Sequence, residues 1–234
     1  MSIMEQPVAI ITGASRGIGQ ATAEELAGWG WRLVLVARTA ERLQEIAEQT
    51  QGLALAADIT RPDEVQEIVR KTLGQFGRID ALVNCAGVAP ALMIEQTTIE
   101  DWHQVIDTNL SAVFYLCKAV WEAFKRQQCG VIVNLSSLAA RDPFPGFMAY
   151  GSAKAGLHIL GLCLARQGQE HGIRVHTLAL GAVETEMFRM LMTPGQFPAS
   201  QTLAPDEVAK TIAACVSGEL RYTSGEVIYL HKTV

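Results

Sequence analysis

The sequence predicts one α/β domain: an open, doubly wound parallel sheet of about seven strands with helices on both faces. Three observations predict it. Short apolar runs rich in β-branched residues alternate with helix-length amphipathic stretches along the whole chain. The links between them are short, as right-handed crossovers between parallel strands require. Finally, 234 residues with 49% hydrophobic and 18% charged content supply a sizeable core and carry too little charge for a disordered chain. No internal repeat or linker divides the chain, so residues 1–234 are expected to form a single domain.

Residues 8–12, Val-Ala-Ile-Ile-Thr, read as a first strand buried on both faces. The run breaks at Gly13-Ala14-Ser15-Arg16-Gly17-Ile18-Gly19, and a helical pattern follows to Gly28. Glycines 13, 17 and 19 between a strand and a helix leave bare backbone where a pyrophosphate can approach a helix N-terminus. The spacing is Gly-x-x-x-Gly-x-Gly, not the Gly-x-Gly-x-x-Gly of long-chain dehydrogenases. A second strand over 33–37 and a helix over 40–49 complete the βαβ unit that such a turn needs. In NAD-binding units an acidic residue about 20 positions past the glycines bonds the ribose 2′-hydroxyl. Here Ala37 and Arg38 stand at that place, and Arg16 lies in the glycine loop. Two guanidiniums and no carboxylate suit a 2′-phosphate, so NADP rather than NAD is the expected cofactor.

The third strand, 53–58, closes on Asp58-Ile59 at its carboxyl end, where ligands of open α/β sheets collect. Pro62 opens the next helix. Strand four, 79–84, ends in Asn84-Cys85-Ala86-Gly87, small residues that again admit a ligand close to the backbone. A helical pattern runs from Ile99 to about Gln127 and contains Asn109, which costs burial energy there unless it is hydrogen-bonded. Strand five, 131–135, leads to Ser137. The proline-rich loop 141–147 is expected to line a pocket mouth. Tyr150 and Lys154 are four apart and share one face of the helix that continues to about residue 170. Strand six, 172–180, is followed by Gly181, Val183 and Thr185. Residues 186–204 hold three methionines and two phenylalanines among prolines and a glycine, which reads as an apolar lid or as a helical insertion on the core. A last helix starts near Pro205, and a last strand covers 226–230. A phenol, an ammonium and a hydroxyl at the mouth of a sheet make a proton-transfer site if the fold converges them.

The bulk numbers exclude other classes. A net charge of −5, with no Lys/Arg run longer than two, gives no footprint for nucleic acid. Cys85, Cys117, Cys129, Cys163 and Cys215 are scattered, and the five histidines lack ligand spacing, so neither disulfides nor a metal are expected. No apolar run reaches the roughly 20 residues of a membrane span, and the first residues lack a signal-peptide pattern, so a cytoplasmic protein is expected.

Taken in order, these residues resemble the short-chain dehydrogenases/reductases from Val8 to about Leu230, and in particular their 3-oxoacyl-carrier-protein reductase-like members. The matching pieces are Thr12-Gly13-x-x-x-Gly17-x-Gly19, Asp58, Asn84-x-Ala86-Gly87, Asn109, Ser137 and Tyr150-x-x-x-Lys154, with 28, 13 and 4 residues separating the last four. The resemblance implies a Rossmann-like sheet in the order 3-2-1-4-5-6-7, a nicotinamide cofactor, and a homodimer or homotetramer. It implies that Tyr150 is the acid/base, that Lys154 lowers its pKa and holds the nicotinamide ribose, that Ser137 binds the carbonyl, and that the helix at Asn109 holds a relay water. Cofactor contacts are implied for Gly13, Ser15, Arg16, Gly17, Ile18, Gly19, Arg38, Asp58, Ile59, Asn84, Ala86, Gly87, Tyr150, Lys154, Gly181, Val183 and Thr185, and for Asn84 also a role in steadying the central strand. Leu180-Gly181 departs from the family's usual Pro-Gly, His176 stands where Asn is frequent, and residues 229–234 lack an Asp-Gly-Gly pattern. The substrate expected is a carbonyl compound, either an acyl thioester or another apolar ketone of steroid, pterin or quinone type. A non-catalytic NADP-binding sensor is the alternative from another class.

Overall fold

A computed structural model describes residues 6–232. The N-terminal residues read above for a targeting signal, and the last two of the tail, lie outside the described residues. Seven parallel strands form one sheet in the order β3-β2-β1-β4-β5-β6-β7. They are β1 (Val8–Thr12), β2 (Arg32–Ala37), β3 (Leu53–Ala56), β4 (Ala81–Asn84), β5 (Gly130–Ser137), β6 (Ile173–Leu180) and β7 (Val227–Leu230). The sheet order reverses between β1 and β4, which opens a crevice at the carboxyl ends of the strands.

Helices cover both faces, and the strand residues alternate between them with period two. Ala9, Ile11, Leu33 and Leu35 pack on one side with Leu26 of α1 (Gly17–Gly28), Leu43 of α2 (Ala40–Thr50) and Ile212 of α8 (Pro205–Ser217). Val8, Ile10, Val34 and Leu82 pack on the other with Ile68 of α3 (Pro62–Phe76), Leu116 of α5 (Ala112–Gln127) and Leu157 of α6 (Met148–Gly168). Both sets are buried, which is why the strands read as continuous apolar runs. Among the described residues no helix is long and apolar enough to cross a membrane.

Several element boundaries differ from expectation. β3 stops two residues before Asp58, because the Asp58 amide donates to Glu64 Oε2 (2.7 Å) and not to a strand. β4 starts at Ala81 because the Gln127 side-chain amide takes both backbone groups of Ile79. The expected single helix over 99–127 is three pieces: α4 (Ile99–Ile106), a π-turn (Asp107–Ser111) and α5. The Asn109 side chain donates to the carbonyl of Val105, its i−4 residue, at 2.9 Å, and so displaces the ordinary helical acceptor pattern.

Residues 186–204 comprise α7 (Glu186–Leu191) and a 3₁₀ turn at Ala199–Gln201, closed into a compact loop. Arg189 pairs with Glu184 and donates from Nη1 to the carbonyls of Met192 (3.2 Å) and Phe197 (2.8 Å). Thr202 donates to Glu184 Oε2 (2.9 Å), and Leu203 bridges in parallel to Val183. Leu180 in place of proline leaves the exit from β6 orderly: Gly181 N donates to Leu230 O at 2.8 Å.

His176 is fully buried in β6, with Nδ1 against Thr223 Oγ1 (3.1 Å) and Nε2 without a partner among the described residues. Burial, and next the Arg174 guanidinium, push its pKa down from 6.5 to about 4. An unfolded chain therefore takes up this proton before the folded one does, so stability is drained as pH falls from 6.5 through 4. His176→Asn should remove about 1–3 kcal/mol of acid destabilisation across that window, flattening a plot of Tm against pH relative to the wild-type chain.

Candidate active site

One cavity of about 860 Å³ opens along the carboxyl ends of the strands, within the range of small-molecule sites. Gly13, Ser15, Arg16, Gly17, Ile18 and Gly19 line one part of it. Gly13 and Gly17 have φ of +66° and +56°, conformations that glycine adopts without strain. A Cβ on Gly13 would lie 2.9 Å from Ala86 N and Cα, so the loops after β1 and β4 meet backbone to backbone. The first turn of α1 has neither a capping side chain nor an acidic residue, whereas α4 has a complete capping box at Thr98 and Asp101. Unfilled N–H groups at that helix start, in a glycine-lined wall, fit the pyrophosphate of a dinucleotide.

Farther along the wall are Arg38, in the bend after β2, and Arg42, in the first turn of α2, with Asp58, Ile59 and Thr60. Asp58 Oδ1 accepts from Thr60 N (3.0 Å) and Thr60 Oγ1 (2.8 Å). The backbone bond from Thr60 holds the Asp58 carboxyl below its usual range, leaving a carboxylate whose Oδ2 makes no hydrogen bond among the described residues. Arg16 and Arg42 both pair with Glu186, at 2.9 Å each. Sequence reasoning missed Arg42, although its place in the first turn of the helix after the second strand was available as a signal. It also missed Glu186, which lies 170 residues from Arg16 and carries no local signature.

The structure brings Ser137, Tyr150 and Lys154 into the same cavity. Ser137 ends β5, and α6 presents Tyr150 and Lys154 one turn apart, with Lys154 Nζ 5.6 Å from the Tyr150 ring centre. Lys154 is only 5% exposed, and its ammonium donates to Leu135 O at 2.7 Å. Burial pulls its pKa down to about 8. Burial pushes the Tyr150 phenol up, partly offset by a hydrogen bond from Ser137. In the chain alone no effect of Lys154 on Tyr150 is evident; one of the ammonium's three N–H groups goes to a backbone carbonyl, which leaves two for a ligand.

Asn109 clamps the loop after β4, accepting from Val88 N (3.2 Å) and donating to Val88 O (2.9 Å). Its side chain is therefore spent on the loop, which leaves backbone, not amide, to receive a water there. Ala86 and Gly87 line the cavity, as do Gly181, Val183 and Thr185. Thr185 also caps α7 through Phe188 N (3.2 Å). Asn84 does not line it. Its amide points across the sheet to Asn134 Oδ1 (2.8 Å), tying β4 to β5, so of its two implied roles the structure shows the strand-steadying one and places Asn84 away from the cavity that would hold a cofactor. Apolar side chains close the remaining wall: Phe144 and Phe147 from the proline-rich loop, and Met187, Phe188, Leu191 and Phe197 from 186–204.

Comparison with known proteins agrees with this architecture. A family model described as short chain dehydrogenase matches residues 7–194. The 3-oxoacyl-(acyl-carrier-protein) reductase FabG of Escherichia coli K12 is 34% identical over 97% of this chain and 96% of its own length. The 3-oxoacyl-(acyl-carrier-protein) reductase of Synechocystis sp. is 35% identical over 97% and 99%. The crystal structure of 3-ketoacyl-(acyl-carrier-protein) reductase from Brucella melitensis complexed with NADH superposes with a TM-score of 0.92 at 28% identity, covering 97% of this chain and 98% of that one.

The buried ammonium yields a direct test. In a ¹³C-lysine NMR titration of the cofactor-free protein, one resonance should inflect near pH 8, below the ordinary lysine range, and be absent from Lys154→Met.

Proposed function

We propose, given that the chain belongs to the short-chain dehydrogenase family, that it moves hydride between NADP(H) and a carbonyl or secondary alcohol, with a 3-oxoacyl thioester as the favoured substrate class. Family membership makes it an oxidoreductase that uses a nicotinamide cofactor. The observation that carries the finer reading is the convergence of Ser137, Tyr150 and Lys154 in the cavity that also holds the glycine loop.

The cofactor, when bound, supplies or accepts the hydride. Every other task falls to side chains. The uncapped start of α1 receives the pyrophosphate, and Asp58 Oδ2 is available to the adenine side. Arg16, Arg38 and Arg42 supply three guanidiniums for a 2′-phosphate, and this cluster supports NADP. In reduction, Tyr150 gives a proton to the carbonyl oxygen. Burial keeps its phenol protonated at neutral pH, the state a donor needs. Ser137 donates to the same oxygen and stabilises its developing charge. Lys154 holds the ribose hydroxyls and, with the positive oxidised ring, favours the phenolate when the reaction runs toward the ketone. The π-turn at Asn109 offers backbone for a water that returns protons to Lys154. The 186–204 segment acts as the substrate lid, and its apolar lining, with the names of the relatives, favours an acyl chain.

Tyr150→Phe should cut turnover by about 10²–10⁴-fold while leaving NADPH affinity largely intact. Substantial residual turnover would refute its role. NADPH oxidation against a panel of acyl thioesters, ketones, quinones and steroids should be fastest with a 3-oxoacyl thioester. Tight NADPH binding with no turnover on any member would favour the sensor reading.

A further inference from the structure

Arg16 and Arg42 reach the cavity from separate elements, the glycine loop and the first turn of α2, and both end on one carboxylate. Glu186 presents Oε2 to Arg16 and Oε1 to Arg42, each at 2.9 Å, so both of its oxygens are engaged. The bonds to Arg42 and then Arg16 hold its carboxyl below the usual range. All three side chains are about half exposed. Exposed ion pairs of this kind are weak and screened by salt, so this contact forms readily and breaks readily. A phosphate dianion bears more charge than a carboxylate and more acceptor oxygens for two guanidinium forks. Arg38, on the same wall, forms no ion pair among the described residues, although its charge helps to lower the Asp58 carboxyl.

We propose that Glu186 is a resident counter-ion that the 2′-phosphate must displace from Arg16 and Arg42, which makes Glu186 a determinant of cofactor choice. The inference rests on the NADP reading above and adds a competitor within the chain itself. NADP-type cofactors meet this competitor, and NAD-type cofactors, lacking the 2′-phosphate, do not. Glu186 also opens α7, so the group that yields to the phosphate belongs to the segment that walls the substrate side.

The test is direct binding of NADPH and NADH by calorimetry to wild type, Glu186→Gln and Glu41→Gln. Glu41 neighbours Arg42 on α2 but forms no ion pair with either arginine. Glu186→Gln should tighten NADPH roughly three- to tenfold and leave NADH within about twofold, and the gain should shrink at 0.5 M salt, as for exposed ion pairs. Glu41→Gln should leave both affinities near wild type. Unchanged or weaker NADPH binding in Glu186→Gln, equal tightening of both cofactors, or the same gain in Glu41→Gln would overturn the proposal. The NADP reading fails separately, if wild type binds NADH as tightly as NADPH. Even then, the ratio of variant to wild-type affinity for NADPH decides whether Glu186 competes.

Discussion

The cavity depends on one close approach: the backbone at Gly13, after β1, lies directly against the backbone of Ala86, after β4. These are the two strands between which the sheet order reverses, and the crevice opens only if the loops leaving them diverge from a common, tightly packed root. A side chain at Gly13 would overlap Ala86, and a positive φ there would strain any other residue. Thr12 reinforces the junction, because its hydroxyl accepts from Ala86 N at 3.2 Å. From this root α1 starts uncapped toward the cavity. The loop after β4 runs on to Val88, where Asn109 takes hold of it with two hydrogen bonds. The glycine loop and the loop after β4 therefore share a single origin.

Around that origin the chain keeps polar groups where burial disfavours them. Lys154 is held in its charged form at neutral pH with one carbonyl as its visible partner, and a pKa of about 8 records that cost. Asn84 and Asn134 meet in the sheet interior with one oxygen and one amide nitrogen left unpaired. The apolar layers on both faces of the sheet offset these losses. Such concessions are expected where chemistry, not stability, selected the residue.

The architecture was legible because its determinants are local. Double-sided strands announce themselves as apolar runs, and glycines mark the strand-to-helix turn. Tyr150 and Lys154 need only a helix to stand together. The line of residues from Asp58 to Ser137 follows from the fact that strand ends in one parallel sheet share an edge. What escaped was set by distant partners. The π-turn arises from a side chain competing with backbone at Asn109, and an apolar periodicity count passes over it. Asn84 could be expected to steady the central strand, but its partner Asn134, on the adjacent strand and 50 positions away, has no local signature. The Glu186 bridge joins residues 170 positions apart, and nothing near Arg16 in sequence hints at it.

The 186–204 segment leaves and rejoins the fold at adjacent points, Val183 and Leu203, and the Glu184 carboxylate fastens it through Arg189 and Thr202. Its own carbonyls are satisfied by its own arginine, so the sheet carries little of its internal order. The segment is thereby separable in descent from the sheet it is attached to. A loop of other length and lining can be spliced between the same two anchor points while β6, the glycine turn and the Tyr150–Lys154 helix stay as they are. One ancestral scaffold could thus acquire many linings at this side of the cavity by exchanging a single cassette.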